Sequence, residues 1–353
     1  MIAIISDIHF GARANSKVFL NELERFFHDV FFPVCRERNI TQVINLGDTW
    51  ENRSSLNPYT LERAREMFFD PLKKYGMHQI MLIGNHDAFY RTSNKINFVR
   101  MLQEIYPNNI EVIEGFQTKE YEGVKIDLTS WVHKNNQEEF FRFIEKDDAR
   151  ILMGHLEING FELSPGHPMQ NGMEPELFKR YELVLSGHFH TPSKRGNIQY
   201  VGNPVQTNWG DLGIEKGFWL LDAENLVIER IRNPHDMFVC RDWNPKLDPE
   251  IFDDCYGRVI LPKFTEYKKT EVDLFITKIN DRAQTYGVQI IESDQELDAS
   301  ALSQQEGRIQ TTKDIIVSYI DETTKNDDNI DPEVLKNVFF GLYEEAQLKM
   351  DIE

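Results

Sequence analysis

The chain has 353 residues and carries 58 acidic against 39 basic side chains, a formal net charge of −19 at pH 7 with histidine neutral. That length exceeds what one hydrophobic core usually supports, and 41% hydrophobic with 12% aromatic residues supplies enough apolar surface to exclude a wholly disordered chain. No stretch of 18 uncharged apolar residues occurs, which excludes a membrane-spanning helix.

The run from Met1 to Asp7 has no basic segment and meets a carboxylate early, against a secretory signal. Cys35, Cys240 and Cys255 are scattered and form neither a disulfide framework nor a CxxC pair. Both features point to a cytoplasmic chain. The charge is uneven: residues 291–353 hold 16 acids and 5 bases, so 11 of the 19 excess negative charges lie there. A centre built from carboxylates also counts as negative until its cations bind, so the net charge does not exclude a nucleic-acid partner.

In chain order, short apolar runs alternate with helical stretches, which predicts a layered α/β domain. Ile2 to Ser6 is the first run. A helix follows with the stripe Leu23, Phe26, Phe27, Phe31 and Val34 at spacings of three and four. Gln42 to Leu46, Gln79 to Ile83, Ile151 to Met153 and Leu183 to Leu185 are the next runs, each too short for a helix. Residues 217–232 read as a hairpin around Ala-Glu-Asn, and the Pro and Asp that follow read as a boundary. Beyond it, a strand from Gly257 to Phe264, a helix from Lys269 to Tyr286 and a strand from Val288 to Glu292 make a small β-α-β domain. Residues 293–312, rich in Ser, Gln, Asp and Glu, read as a linker. Two amphipathic segments close the chain, with apolar faces at Ile315, Ile316, Tyr319 and Ile320, then at Val334, Leu335, Val338, Phe339, Leu342 and Tyr343. The expected units are 1–235, 236–292, 293–312 and 313–353.

All five core runs end in metal-ligand residue types: Asp7-Ile8-His9, Gly47-Asp48, Gly84-Asn85-His86-Asp87, Gly154-His155 and Gly187-His188-Phe189-His190. In open α/β sheets the carboxyl ends of strands share one crevice, so these groups can converge. A mixed set of carboxylates, imidazoles and one amide suits manganese, iron, zinc or magnesium better than a thiolate site would. So many donors are too many for one ion with open positions and right for two ions bridged by one carboxylate, a centre that hydrolyses phosphate esters. Taken singly, each motif is more often a turn. Five in order, each closing an apolar run, are not explained by turns.

The ordered series DxH, GD, GNHD, GH, GHxH resembles the calcineurin-like metallophosphoesterase superfamily over roughly residues 1–230. Asp7-Ile8-His9-Phe10-Gly11 and the Gly202-Asn203-Pro204 turn are similar to the nuclease subunits of double-strand-break repair, the SbcD or meiotic-recombination-eleven group. The short second domain is most similar to the phage branch of that group. The resemblance implies two layered sheets with flanking helices, a small capping domain that recognises DNA, and C-terminal helices. It implies that Asp7, His9 and His190 hold one ion, that Asn85, His155 and His188 hold the second, and that Asp48 bridges them. It further implies that His86 is catalytic, protonating the leaving oxygen or stabilising the charged transition state, with Asp87 orienting it.

The function so implied is a DNA nuclease using two manganese ions, with magnesium the alternative. It would act as a 3′-to-5′ duplex exonuclease and single-strand endonuclease in recombination and repair. The implied partners are an SbcC-like coiled-coil ATPase bound through the C-terminal helices, and a second copy in a homodimer. Other functions stay open: a cyclic-nucleotide phosphodiesterase or phosphoprotein phosphatase would use the same motifs, and an assembly subunit with a vestigial centre would first show a lost ligand, which this chain does not. Related nucleases often carry a His three residues beyond the bridging Asp, whereas this chain has Glu51, so that role does not carry over. His28, His78, His133, His167 and His235 lie outside the motifs and read as surface or packed residues. Trp50, Arg53 and Trp209 flank them and are candidates for substrate contact or for core.

Overall fold

The computed structural model describes residues 1–146, 148–164, 167–261, 268–280 and 287–292. The linker at 293–312 and the two helices expected at 313–353 lie outside the described residues. The expected alternation of strands and helices resolves into two six-stranded sheets packed face to face. In the first, Ile2–Ile5, Gln42–Asn45, His78–Leu82 and Ile110–Ile113 run parallel, and the hairpin Gly217–Asp222/Val227–Arg232 joins them antiparallel to Ile2–Ile5. The second sheet holds Val124–Thr129, Ile151–His155, Leu183–Gly187 and Ile198–Tyr200 in parallel, with antiparallel strands Phe116–Tyr121 and Ser193–Arg195 at its edges.

Pleating explains the layers, because alternate side chains of a strand point to opposite faces. Ile2, Ile4, Ile44, Leu46, Ile80 and Leu82 turn inward against Ile126, Leu128, Ile151, Met153 and Leu185 of the second sheet. Ala3, Ile5, Val43, Met81 and Ile83 turn outward under the phenylalanine-rich helices. On the far side, Leu152 and Val184 pack against Phe140 and Ile144 of the helix Gln137–Lys146. The central strands of both sheets are covered on both faces, so they read as apolar runs without alternation.

Two long helical segments cover the first sheet, and each contains a wide π turn: Phe27–Phe31 between Lys17–Phe26 and Phe32–Glu37, and Arg65–Phe69 between Pro58–Ala64 and Asp70–Lys74. A proline, Pro33 or Pro71, stands at the second position after each wide turn. A proline inside a helix lacks the N–H and presses its ring on the carbonyl four residues back; an inserted residue relieves that clash. The insertion corrects the expected apolar stripe. Leu23, Phe26, Phe27 and Phe31 are buried, but past the wide turn the stripe slips by one residue to Phe32 and Cys35, leaving Val34 half-buried. Phe27 and Phe68, from the two wide turns, stack with ring centroids 4.4 Å apart.

The small β-α-β unit contains one strand more than expected. Phe238–Asp242 precedes it and pairs in parallel with Tyr256–Leu261, which pairs in parallel with Gly287–Glu292; the helix Lys269–Asn280 connects the last two. Val239, Trp243, Phe252, Val259, Val272 and Phe275 form its own core. Phe238, facing the other way, packs against Trp209 with centroids 5.0 Å apart.

Candidate metal centre

The first three parallel strands end side by side, and the loops that follow are hydrogen-bonded to one another. Asp7 N donates to Gly47 O at 3.0 Å, His9 N to Asp48 O at 3.1 Å, Phe10 N to Thr49 O at 2.9 Å and Glu51 N to Phe10 O at 3.1 Å. This zipper holds residues in a backbone region that non-glycine residues avoid: φ is +51° at Asp7, His9 and Asp48, and +89° at His188. Such conformations cost about 1–3 kcal/mol each and cluster where function requires them. The glycines are required by close approach. A Cβ on Gly84 would lie 2.1 Å from Asp48 Oδ1, and one on Gly187 would lie 2.0 Å from Ser6 Oγ.

Two clusters of donor atoms result, each spanning no more than 4.8 Å. Asp7, His9 and His190 form one, with His9 Nε2 and His190 Nε2 3.0 Å apart. Asp48, His155 and His188 form the other, and Asn85 completes it: its Oδ1 is 3.0 Å from His155 Nε2 and 2.9 Å from His188 Nδ1. Asp48 Oδ2 lies between, 3.4 Å from His155 Nε2 and 3.7 Å from His9 Nε2. Asp7, His9, Asp48 and His155 are at most 2% exposed. The structure thus brings together all seven residues that the resemblance implies as ligands.

Charge and proton placement follow from this crowding. Burial raises the Asp7 carboxyl above its ordinary value. Burial works the same way on Asp48, but the facing imidazoles of His155, His9 and His86 override it and hold Asp48 far below the carboxylate range. Burial opposes charge on His9 and His155 too. The Glu51 and Asp48 carboxylates lift His9 to about 9, and Asp48 and Asp7 lift His155 to about 9. His188 is pushed down to about 3 and His190 well below its ordinary value, by burial and by neighbouring imidazoles. The ring of His155 is oriented through Nδ1, 3.0 Å from Leu46 O, so a neutral ring turns its Nε2 lone pair into the cluster.

His86 lies beside both clusters, its ring 4.9 Å from that of His9. Its backbone N donates to Asp48 Oδ1 at 2.8 Å. The expected orienting contact from Asp87 is absent. Asp87, fully buried, accepts from the backbone N–H groups of Gly84 at 2.9 Å, Trp50 at 2.9 Å and Thr49 at 3.3 Å, and so braces the loops. The acceptor at His86 Nδ1, 2.7 Å away, is the carbonyl of Glu51. Burial and the charge of Asp48 raise Asp87 to about 7 against those three N–H groups.

Sequence reasoning missed Lys216. The residue is 3% exposed, and its Nζ donates to His190 O at 3.0 Å and to Asp211 Oδ1 at 2.6 Å, anchoring the backbone of the last donor. Nothing in Gly-Ile-Glu-Lys-Gly marks it, and only the burial of an ion pair reveals it. Trp50 is core, 5.6 Å from Phe10, and Trp209 is covered by the Arg258 guanidinium. His28, His78, His133 and His235 stand outside both clusters.

The donor set fits divalent cations. Four imidazoles, one amide oxygen and two carboxylates converge there, and the buried carboxylates need counter-charge. The family described as Calcineurin-like phosphoesterase matches residues 1–192. The chain is 30% identical to exonuclease subunit 1 of Enterobacteria phage T4, across 97% of this chain and 98% of that one. It is 26% identical to the SbcD component of the SbcCD nuclease of Staphylococcus epidermidis, across 62% and 65% of the two chains. With the DNA double-strand break repair protein Mre11 of Nanoarchaeum equitans it shares 23% identity across 79% and 84%. The chain therefore belongs to the calcineurin-like phosphoesterase family, as a metal-dependent phosphodiesterase related to these nuclease subunits.

Proposed function

We propose that the chain is a DNA nuclease with a two-metal centre, working beside an ATPase partner in recombination and break repair. The observation that carries this reading is the convergence of seven donors on two adjacent clusters with Asp48 between them, in a chain related along nearly its whole length to an exonuclease subunit. Asp7, His9 and His190 would hold one cation, and Asn85, His155 and His188 the other. Two such cations supply charge against the phosphoryl oxygens and lower the pKa of the attacking water. Manganese suits the donor set, with magnesium the alternative.

The chain's own groups would do the rest. Glu51 O accepts from Nδ1–H of His86, so the Nε2 side, without a partner among the described residues, would deliver a proton to the leaving oxygen from the imidazolium form and be left as the neutral ring. Asp87 acts on the loop backbone. The hairpin Ala88–Tyr90/Ser93–Asn97, starting two residues beyond His86, exposes Phe89 and Tyr90 beside Arg91, groups suited to stacking on bases and pairing with phosphate. The small domain at 236–292 would contact DNA, and residues 313–353, after the linker, would bind an SbcC-like ATPase. Homodimerisation and 3′-to-5′ digestion of duplex DNA complete the reading.

Labelled duplex and single-stranded DNA, offered to the purified chain with manganese, magnesium or EDTA, test it. Cutting with manganese that EDTA abolishes, and that Asp48→Asn abolishes while the fold persists, is expected, because bridging two cations needs a full negative charge. Failure to cut either DNA, with turnover of cyclic nucleotides or phosphoproteins instead, would overturn it.

A further inference from the structure

We infer that Glu51 is a positioning residue for His9, setting which ring nitrogen His9 turns toward the first cation. The inference deepens the two-metal reading above and rests on it. Glu51 stands three residues beyond Asp48, and nothing in the sequence assigns it a role. The structure clamps it beside the Asp-x-His loop. Trp50 bridges Phe10 in parallel, and Glu51 N donates to Phe10 O at 3.1 Å.

From that place one residue touches two rings. Its Oε2 lies 2.8 Å from His9 Nδ1, and its carbonyl lies 2.7 Å from His86 Nδ1. His9 Nδ1 is buried without an aligned hydrogen bond, and among the described residues the Glu51 carboxylate, 2.8 Å away, is the acceptor within reach. A neutral imidazole carries one proton. With a carboxylate at Nδ1 the proton resides there, and Nε2, 3.0 Å from His190 Nε2, keeps the lone pair that a cation needs. The second cluster achieves the same through Leu46 O at His155 Nδ1. Among the described residues no backbone carbonyl stands in that place at His9, and the Glu51 side chain supplies the acceptor instead. The competing occupant is a third cation held directly by His9, Glu51 and His86, whose donor atoms also lie within 4.8 Å of one another.

Manganese binding to the full-length chain separates these cases, by equilibrium dialysis with elemental analysis, on wild type, Glu51→Ala and Glu51→Gln. Wild type is expected to bind two ions per chain. Glu51→Ala should weaken one of them about 10–100-fold, the usual loss when a carboxylate behind a ligand imidazole is removed, and leave the other unchanged. Excess manganese should then restore kcat. Glu51→Gln, whose amide oxygen can still accept from Nδ1–H, should recover most of the affinity. A residue that merely supports the loop would weaken both ions together and would not discriminate Gln from Ala; either result overturns the inference. Unchanged affinities in Glu51→Ala also overturn it. Three ions in wild type falling to two in Glu51→Ala would make Glu51 a ligand instead. A wild-type chain that binds no manganese would overturn the two-metal reading itself, and this inference with it.

Discussion

At the residue scale the centre is a set of buried groups whose charges are mutually dependent, and its protonation has a measurable consequence. His9 and His155 stand at about 9 in the folded, metal-free protein against an ordinary value of 6.5. Between those values the folded chain binds more protons than the unfolded one, so their stabilisation is complete below the ordinary value and is lost as pH rises through about 9. Asp87, raised to about 7, acts with the same sign at the lower edge of that window. His188 and His190, shifted down, are neutral in both states above about pH 7 and add no slope there. The melting temperature of EDTA-treated protein should therefore fall from about pH 7 to about pH 9, as calorimetry can follow. With saturating manganese, neutral imidazoles are the bound form and the fall should disappear. A flat profile without metal would mean that the two rings are not protonated.

His86 allows a second test at this scale. With Nδ1 engaged by Glu51 O and the seven other donors sufficient for two ions, His86→Ser should keep both metals and lose about two to four orders of magnitude in rate on DNA. A nitrophenyl phosphodiester, whose leaving oxygen needs no proton, should suffer less. Loss of one ion per chain with equal rate losses on both substrates would make His86 a ligand or a structural residue.

At the scale of elements, the paired wide turns show how a local chemical requirement became a packing feature. Pro33 and Pro71 each follow a π turn, and the two turns meet at the Phe27–Phe68 stack, surrounded by Phe31, Phe32 and Phe69. This aromatic layer lies under the outward face of the strands that carry Asp7, Asp48 and Asn85. Phe68→Ala should cost about 3–5 kcal/mol in denaturant unfolding, from lost burial and an unfilled cavity. A loss below about 1 kcal/mol would show that the two helices close over the gap.

At the scale of the whole molecule, the nuclease fold and the segment beyond it have separable jobs under the proposed function. The apolar positions Ile316, Ile320, Val338, Phe339 and Leu342 recur at helical spacing after a polar stretch. Two helices of the kind the sequence predicts there would bury little surface alone, so under the proposed function a partner's groove is the place for such faces. Deleting residues 310–353 should preserve cutting of short DNA and abolish capture of the ATPase in co-purification. Undiminished co-purification would refute that division. Among the described residues, no helix is long and apolar enough to cross a membrane.

The sequence by itself determined what is chemically local. An apolar run, a glycine and a ligand residue in succession can be read without coordinates, because a tight turn at a strand end needs all three within a few positions. The five ligand-type motifs and the alternation of strands and helices were legible for that reason, while the choice of seven donors among those residues came through resemblance. Periodicity could not show the slip from Val34 to Cys35, since an inserted residue changes the period within the helix. Nor could it count the strands: those buried on both faces lack alternation, and Phe238–Asp242 stayed hidden in a segment that reads as a boundary. The two-sheet arrangement came only through resemblance. Tertiary structure alone decided who touches whom across the chain. Leu46 O meets His155 Nδ1 from 109 positions away, and Lys216 reaches His190 O from 26. Glu51 took the place of a backbone carbonyl behind His9, and Asp87 turned from the His86 ring to three backbone N–H groups. Such contacts depend on which unpaired donor or acceptor lies within 3 Å once the sheets have closed, and no spacing in the chain encodes that.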